Sequence, residues 1–111
     1  MYAVCRDFLY HKHTLQQVCA QRGLQRGTVY SYLFKGFKGM GCARGAWRRF
    51  GTDALWKAMA QLLEHPVASG SLTELMLEIN AQMRTSPEWF TDESRYNELR
   101  MVRYATLHVP S

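Results

Sequence analysis

Lys35, Lys38, Arg44, Arg48 and Arg49 fall within residues 35–49 with no acidic side chain between them. Gly36, Gly39 and Gly41 separate the first three cations, Gly45 follows the third, and Trp47 stands before the last two. Cations on a glycine-spaced chain suit phosphate groups, because the charges attract the anion while the backbone follows its contour or enters a minor groove. The segment "KGFKGMGCARG" therefore reads as a basic, glycine-rich arm, or in its blander form as a solvated loop, and "AWRRF" as a short helical turn. Trp47, Phe50 and Trp56 read as core residues rather than a base-stacking platform.

The charge of the whole chain has the same bias. Residues 1–50 hold nine Lys and Arg against Asp7 alone, a net of +8, whereas residues 51–111 hold five basic and eight acidic side chains, a net of −3. A chain divided in this way commonly meets a polyanion with its basic half and does something else with the other.

Other chemistries fit less well. "GFKGMGCARG" has neither the dinucleotide nor the P-loop glycine spacing, lacks a following Lys-Ser/Thr pair, and follows no strand. His11 and His13 with Cys5 and Cys19 lack the CxxC or HxxxH spacing of a metal site, and residues two apart on a helix point to different sides. Cys42 lies in an electropositive segment, which would lower its pKa and favour a redox role. Glu64 with His65, and Asp92 with Glu93, flank helix ends, where capping and the helix dipole account for them. Neither a nucleophile with its base nor a working pair of carboxylates is present. The chain reads as a non-enzyme that needs no cofactor or metal.

Behind these groups stand 111 residues, 47% of them hydrophobic, enough for one domain with a modest core. No apolar run reaches the roughly 18 residues of a membrane span. "MYAVCRDFLYHKH" has no basic leader ahead of an apolar run, so a non-secreted chain is expected. Three cysteines without paired spacing fit reduced, buried thiols in the cytoplasm.

Periodicity predicts an all-α fold of five to six short helices. A helix over 2–11 places Val4, Cys5, Phe8 and Leu9 together. Thr14 caps a second, with Leu15, Val18 and Cys19 inward, which Gly23 ends by entering the left-handed conformation. A third is expected over Gln25 to Phe34 with Val29, Tyr32 and Leu33 inward. Thr52 opens "DALWKAMAQLLEH", which turns Leu55, Met59, Leu62 and Leu63 to one face and stops before Pro66. "SLTE" at 71–74 is a capping box for a helix burying Leu72, Leu75, Met76, Ile79 and Met83. Ser86-Pro87 starts another turn. A final helix after Asp92 uses Tyr96, Leu99, Val102 and Met101, and "ATLHV" is the one candidate strand.

Within this frame "VCAQRGLQRGTVYSYL" has a particular order. An apolar face (Val18), a small residue at a helix crossing (Cys19), a turn glycine (Gly23), an apolar plug (Leu24) and a β-branched lock (Val29) follow one another at the intervals of two helices joined by a tight turn. The stretch resembles the helix-turn-helix of bacterial and phage repressors, the class that includes lambda repressor/Cro and LacI-type domains. Arg22 stands where those families carry an apolar residue, and Tyr32 is bulkier than usual at its position. The resemblance implies that the second helix enters a major groove and reads bases with Gln25, Arg26, Thr28, Tyr30 and Ser31. Arg26 would fork onto guanine and Gln25 onto adenine. Gly27, in the helix's first turn, would admit a phosphate close to the backbone.

The expectation is therefore a sequence-specific DNA-binding transcriptional regulator, such as a repressor. Residues 1–50 would form the basic part with its arm, and residues 51–111 a helical core and dimerisation part, in one compact domain. Methionines at 59, 76, 83 and 101 suit an adaptable contact, and the expected partners are double-stranded DNA and a second copy of the chain. The competing expectation is a helical protein-interaction module, an adaptor or inhibitor, whose basic half binds an acidic partner. Non-specific RNA or DNA binding shares the charge but not the motif.

Overall fold

The structure, a computed structural model, describes residues 2–84 and 93–110. Among these residues every regular element is helical, and the fold is all-α. The helices are α1 (Tyr2–Leu9), α2 (Leu15–Arg22), α3 (Arg26–Met40), α4 (Arg44–Trp47), α5 (Asp53–Gln61), α6 (Leu72–Met83) and α7 (Glu93–His108), with a 3₁₀ turn at Pro66–Ser69. The chain divides into two compact units, Met1–Cys42 and Ala43–Ser111.

In the first unit α1, α2 and α3 pack on one another. Val4, Cys5 and Phe8 of α1 meet Val18 of α2 and Val29, Tyr30, Leu33 and Phe37 of α3 in the core. The ring centroids of Phe8 and Phe37 are 6.3 Å apart. Val29, Leu33 and Phe37 recur every fourth residue, so all three face one side of the helix. This run carries α3 six residues beyond the expected end at Phe34. The segment read as a flexible arm from residue 35 is helical to Met40, where Gly41 stops it at φ 62°. Each glycine in a helix costs about 1 kcal/mol relative to alanine, but fully burying a phenylalanine returns about 2–3 kcal/mol. Phe37 is completely buried, so packing outweighs the glycines.

In the second unit Trp47 is buried with its ring 5.2 Å from that of Tyr104. The Trp56 indole N–H donates to the Phe50 carbonyl at 2.8 Å. Leu55, Met59 and Leu62 supply the α5 side of the core, Leu75 and Ile79 the α6 side, and Leu99, Met101, Val102 and Ala105 the α7 side. Arg44, Trp47 and Phe50 thus belong with the later helices, and the boundary lies at residue 42 rather than 50. Thr52 caps α5 by accepting from the Leu55 amide, and Ser71 caps α6 by accepting from the Glu74 amide.

Three expectations in this unit are corrected. The fifth helix ends at Gln61, short of His65, and the turn that follows leaves Leu63 exposed. His65 instead opens the 3₁₀ turn, its Nδ1 accepting from the Val67 amide. Tyr96 is exposed while Ala105 fills the inward position further along α7. "ATLHV" is not a strand, since α7 continues to His108. The Ser86-Pro87 turn and the Asp92 cap lie outside the described residues.

Candidate nucleic-acid interface

The turn between α2 and α3 is built by local chemistry. Thr14 Oγ1 accepts from the Gln17 amide at 3.1 Å, while Gln17 Oε1 accepts from the Thr14 amide at 2.8 Å. This reciprocal pair satisfies two of the amides that a helix start leaves open. At the other end Gly23 adopts φ 63°, ψ 36°, and the Leu24 amide donates to the Cys19 carbonyl at 3.1 Å. Only glycine enters that conformation freely. Gln25 then caps α3 with extended backbone, and its side chain makes no capping bond.

Arg22, the unusual residue before the turn, is explained by Asp7. Its Nε donates to Asp7 Oδ2 at 2.7 Å, joining α2 to α1. That hydrogen bond, with smaller help from the positive charge of Arg22 and from His13 and His11, holds the Asp7 carboxyl below its ordinary value, against the opposing pull of its own burial. The charged pair does here what an apolar contact would do elsewhere.

Along α3, residues 28, 31, 35 and 38 are spaced by three or four and so share one face. Thr28 and Ser31 are half-buried, and Lys35 and Lys38 are exposed. Gln25, one turn earlier, extends the same stripe and is exposed. Gly27 is half-buried beside it. The first turn of the helix carries no acidic residue, so its positive dipole end is not neutralised by its own side chains. The Lys38 ammonium lies 4.8 Å from the Phe34 ring centroid, which steadies it on the surface. The fifteen residues of α3 span about 22 Å at 1.5 Å per residue.

Not every residue expected to read bases joins the stripe. Tyr30 is 5% exposed and belongs to the core. It follows Val29 and lies three residues before Leu33, so its ring turns inward, and it is removed from the candidate set. Tyr32, expected inward, is only half-buried. Arg26 is exposed, but it precedes Leu33 by two turns and so lies at the start of the helix on the inward azimuth, on the side away from the stripe.

Arg44, Arg48 and Arg49 fall in the second unit. Arg44 is half-buried, and its Nη2 donates to the carbonyls of Val109, Ala105 and Thr106 at 2.7, 3.0 and 3.3 Å. These carbonyls lie in the last turn of α7 and just past it, the Ala105 oxygen also accepting from the Val109 amide at 3.0 Å, and a cation there complements the helix dipole. Arg44 is thereby committed to holding a helix end and is removed from the phosphate-contacting set. Arg48 is exposed with its guanidinium 5.3 Å from the Trp56 ring centroid. Arg49 is exposed too, although partial desolvation lowers its pKa from the ordinary value.

The thiols do not behave as the charge pattern suggested. Burial raises Cys42, where an electropositive loop was expected to lower it. Burial, with Cys42 nearby adding to it, pushes Cys5 up to about 11, and Cys5 Sγ donates to the Tyr32 carbonyl at 3.6 Å. Among the described residues no group of three or more His, Cys, Asp or Glu is placed to hold a metal ion. No helix among them is long and apolar enough to cross a membrane.

The Asp7–Arg22 pair and the inward turn of Tyr30 were missed from sequence. The run Val29, Leu33, Phe37 was the available clue to the length of α3, masked by its three glycines. Comparison with protein-family models, with curated proteins and with solved structures found no match to this chain.

Proposed function

We propose that residues 2–42 act as a DNA-binding helix-turn-helix and that the protein is a sequence-specific regulator of transcription, with α3 in the major groove. The observation that carries this is the outward stripe of α3: polar Gln25, Thr28 and Ser31 followed by exposed Lys35 and Lys38. A major groove is about 12 Å wide, and α3 is roughly twice that long. Its first half fits within the groove while the two lysines reach the phosphates at its rim. Gln25, whose side chain makes no capping bond, would meet an adenine edge, and Arg26, exposed at the start of the helix, a guanine. Gly27 keeps the first turn open to a phosphate.

The reading extends to a homodimer on a palindromic site, since two linked modules gain affinity and selectivity over one. It also extends to a reduced cytoplasmic setting, supported by three free cysteines, and to repression as the mode of control.

Selection of bound sequences from a random DNA pool tests the proposal. The expected result is enrichment of one motif, palindromic for a dimer. Arg26→Ala and Gln25→Ala should each erode discrimination at one base position by about tenfold while the fold is kept. A flat selection, or binding without saturation or salt dependence, moves the function to an interaction module whose basic half meets an acidic protein.

A further inference from the structure

We propose that the groove along the outer face of α5 binds a small organic monoanion, a carboxylate on a compact apolar body. The groove is lined by Arg48, Asp53, Ala54, Trp56, Lys57 and Ala60, is widely open to solvent with only Trp56 buried, and has a volume of about 660 Å³. That is the size of small-molecule sites, roughly 300–1,000 Å³. It lies wholly within the second unit and is independent of the DNA-binding proposal.

Each lining group has a distinct role. Trp56 is anchored by its 2.8 Å hydrogen bond to the Phe50 carbonyl. The Arg48 guanidinium rests over that fixed ring at 5.3 Å, so its planar fork is partly oriented before any ligand arrives. A guanidinium held this way matches the two oxygens of a carboxylate. Lys57, exposed on the same face of α5, supplies a second cation. Among the described residues none of Arg48, Lys57 or Asp53 enters an ion pair. Ala54 and Ala60, one to either side of Lys57, leave the floor open and apolar.

Charge selects the ligand class. Two cations and one carboxylate leave the groove with a single net positive charge. A monoanion neutralises it. A phosphate dianion overcharges it and meets Asp53. The carboxylate head therefore settles between Arg48 and Lys57, away from Asp53, with the apolar body on the alanine methyls.

The test is an NMR titration of the full chain with benzoate, following the Trp56 indole N–H and the Ala54 and Ala60 methyl groups. Saturable shifts at these positions are expected. Lys57→Ala should weaken the binding about tenfold, the scale of one charge-assisted hydrogen bond. Inorganic phosphate should bind more weakly than benzoate, and benzyl alcohol should not saturate. Arg48→Ala uncovers Trp56 and could disturb its packing, so the exposed Lys57 variant is decisive. Linear shifts with benzoate, equal binding of phosphate, saturation by benzyl alcohol, or an unchanged titration in Lys57→Ala would each overturn the proposal.

Discussion

Replacing Arg44 with alanine separates a structural cation from a nucleic-acid-binding one. Arg44 Nη2 faces three carbonyls at the end of α7, those of Val109 at 2.7 Å, Ala105 at 3.0 Å and Thr106 at 3.3 Å. One Nη2 carries two hydrogens, so the two short contacts are full bonds and the third is shared. A hydrogen bond from a charged donor contributes about 1.5–3 kcal/mol. Because Arg44 is only half-buried, the lower figure applies to each, and Arg44→Ala should cost about 3 kcal/mol. That is a large part of the roughly 5–15 kcal/mol that holds a domain together. All three tryptophans of the chain lie in residues 43–111, so urea unfolding followed by tryptophan fluorescence reports on the unit affected. On the proposed function, the salt dependence of DNA binding should be unchanged in this variant. By contrast, the double change of Lys35 and Lys38 to alanine should leave stability almost untouched and flatten the logarithmic salt slope by nearly two, at about 0.9 per phosphate contact. An Arg44→Ala protein as stable as the wild type, with a slope about one unit shallower, would refute this reasoning: the side chain would then be serving a phosphate and not the helix end.

Other perturbations test the first unit and the packing of α7. Gly23→Ala should destabilise by about 1 kcal/mol through left-handed strain alone, because a Cβ there meets nothing within 4 Å; far-UV circular dichroism in urea measures it. Gly51→Ala should cost more, since its φ is 76° and a Cβ would lie 3.0 Å from Val102 Cγ2 and 3.2 Å from Leu55 Cδ2. Asp7 has a folded-state pKa below its ordinary 3.8, so its contribution is complete above that value and is lost as pH falls through the depressed one. Asp7→Asn should therefore be less stable at pH 7 and should flatten the fall in stability below about pH 4; an acid limb identical to wild type would remove Asp7 from the account. With Cys5 buried and raised to about 11 and the half-buried Cys42 also raised, both thiols should react slowly with iodoacetamide at pH 8 until the chain is unfolded, and rapid labelling of Cys42 in the native protein would contradict the upward shift of its thiol.

Features that depend on a few neighbouring residues were readable in the sequence. Thr14 as a cap, Gly23 as a stop, and Ser71 with Glu74 act across three or four positions, and the structure has caps and turns at each. Helical periodicity likewise identified Val18, Val29, Leu33, Leu55, Met59, Ile79, Leu99 and Val102 as core. Tertiary structure decided the rest, because the deciding partner was distant in sequence. Whether α3 passes its glycines depends on Phe37 reaching Phe8 of α1. Tyr30 is buried in a unit where both α1 and α2 pack against α3. Arg44 is indistinguishable from Lys35 in composition, yet its acceptors lie 61 to 65 residues away. A glycine count and a charge run are sums over residues. They carry no information about which surfaces meet, and that meeting turned a presumed basic arm into a rigid helix and one of its arginines into a cap.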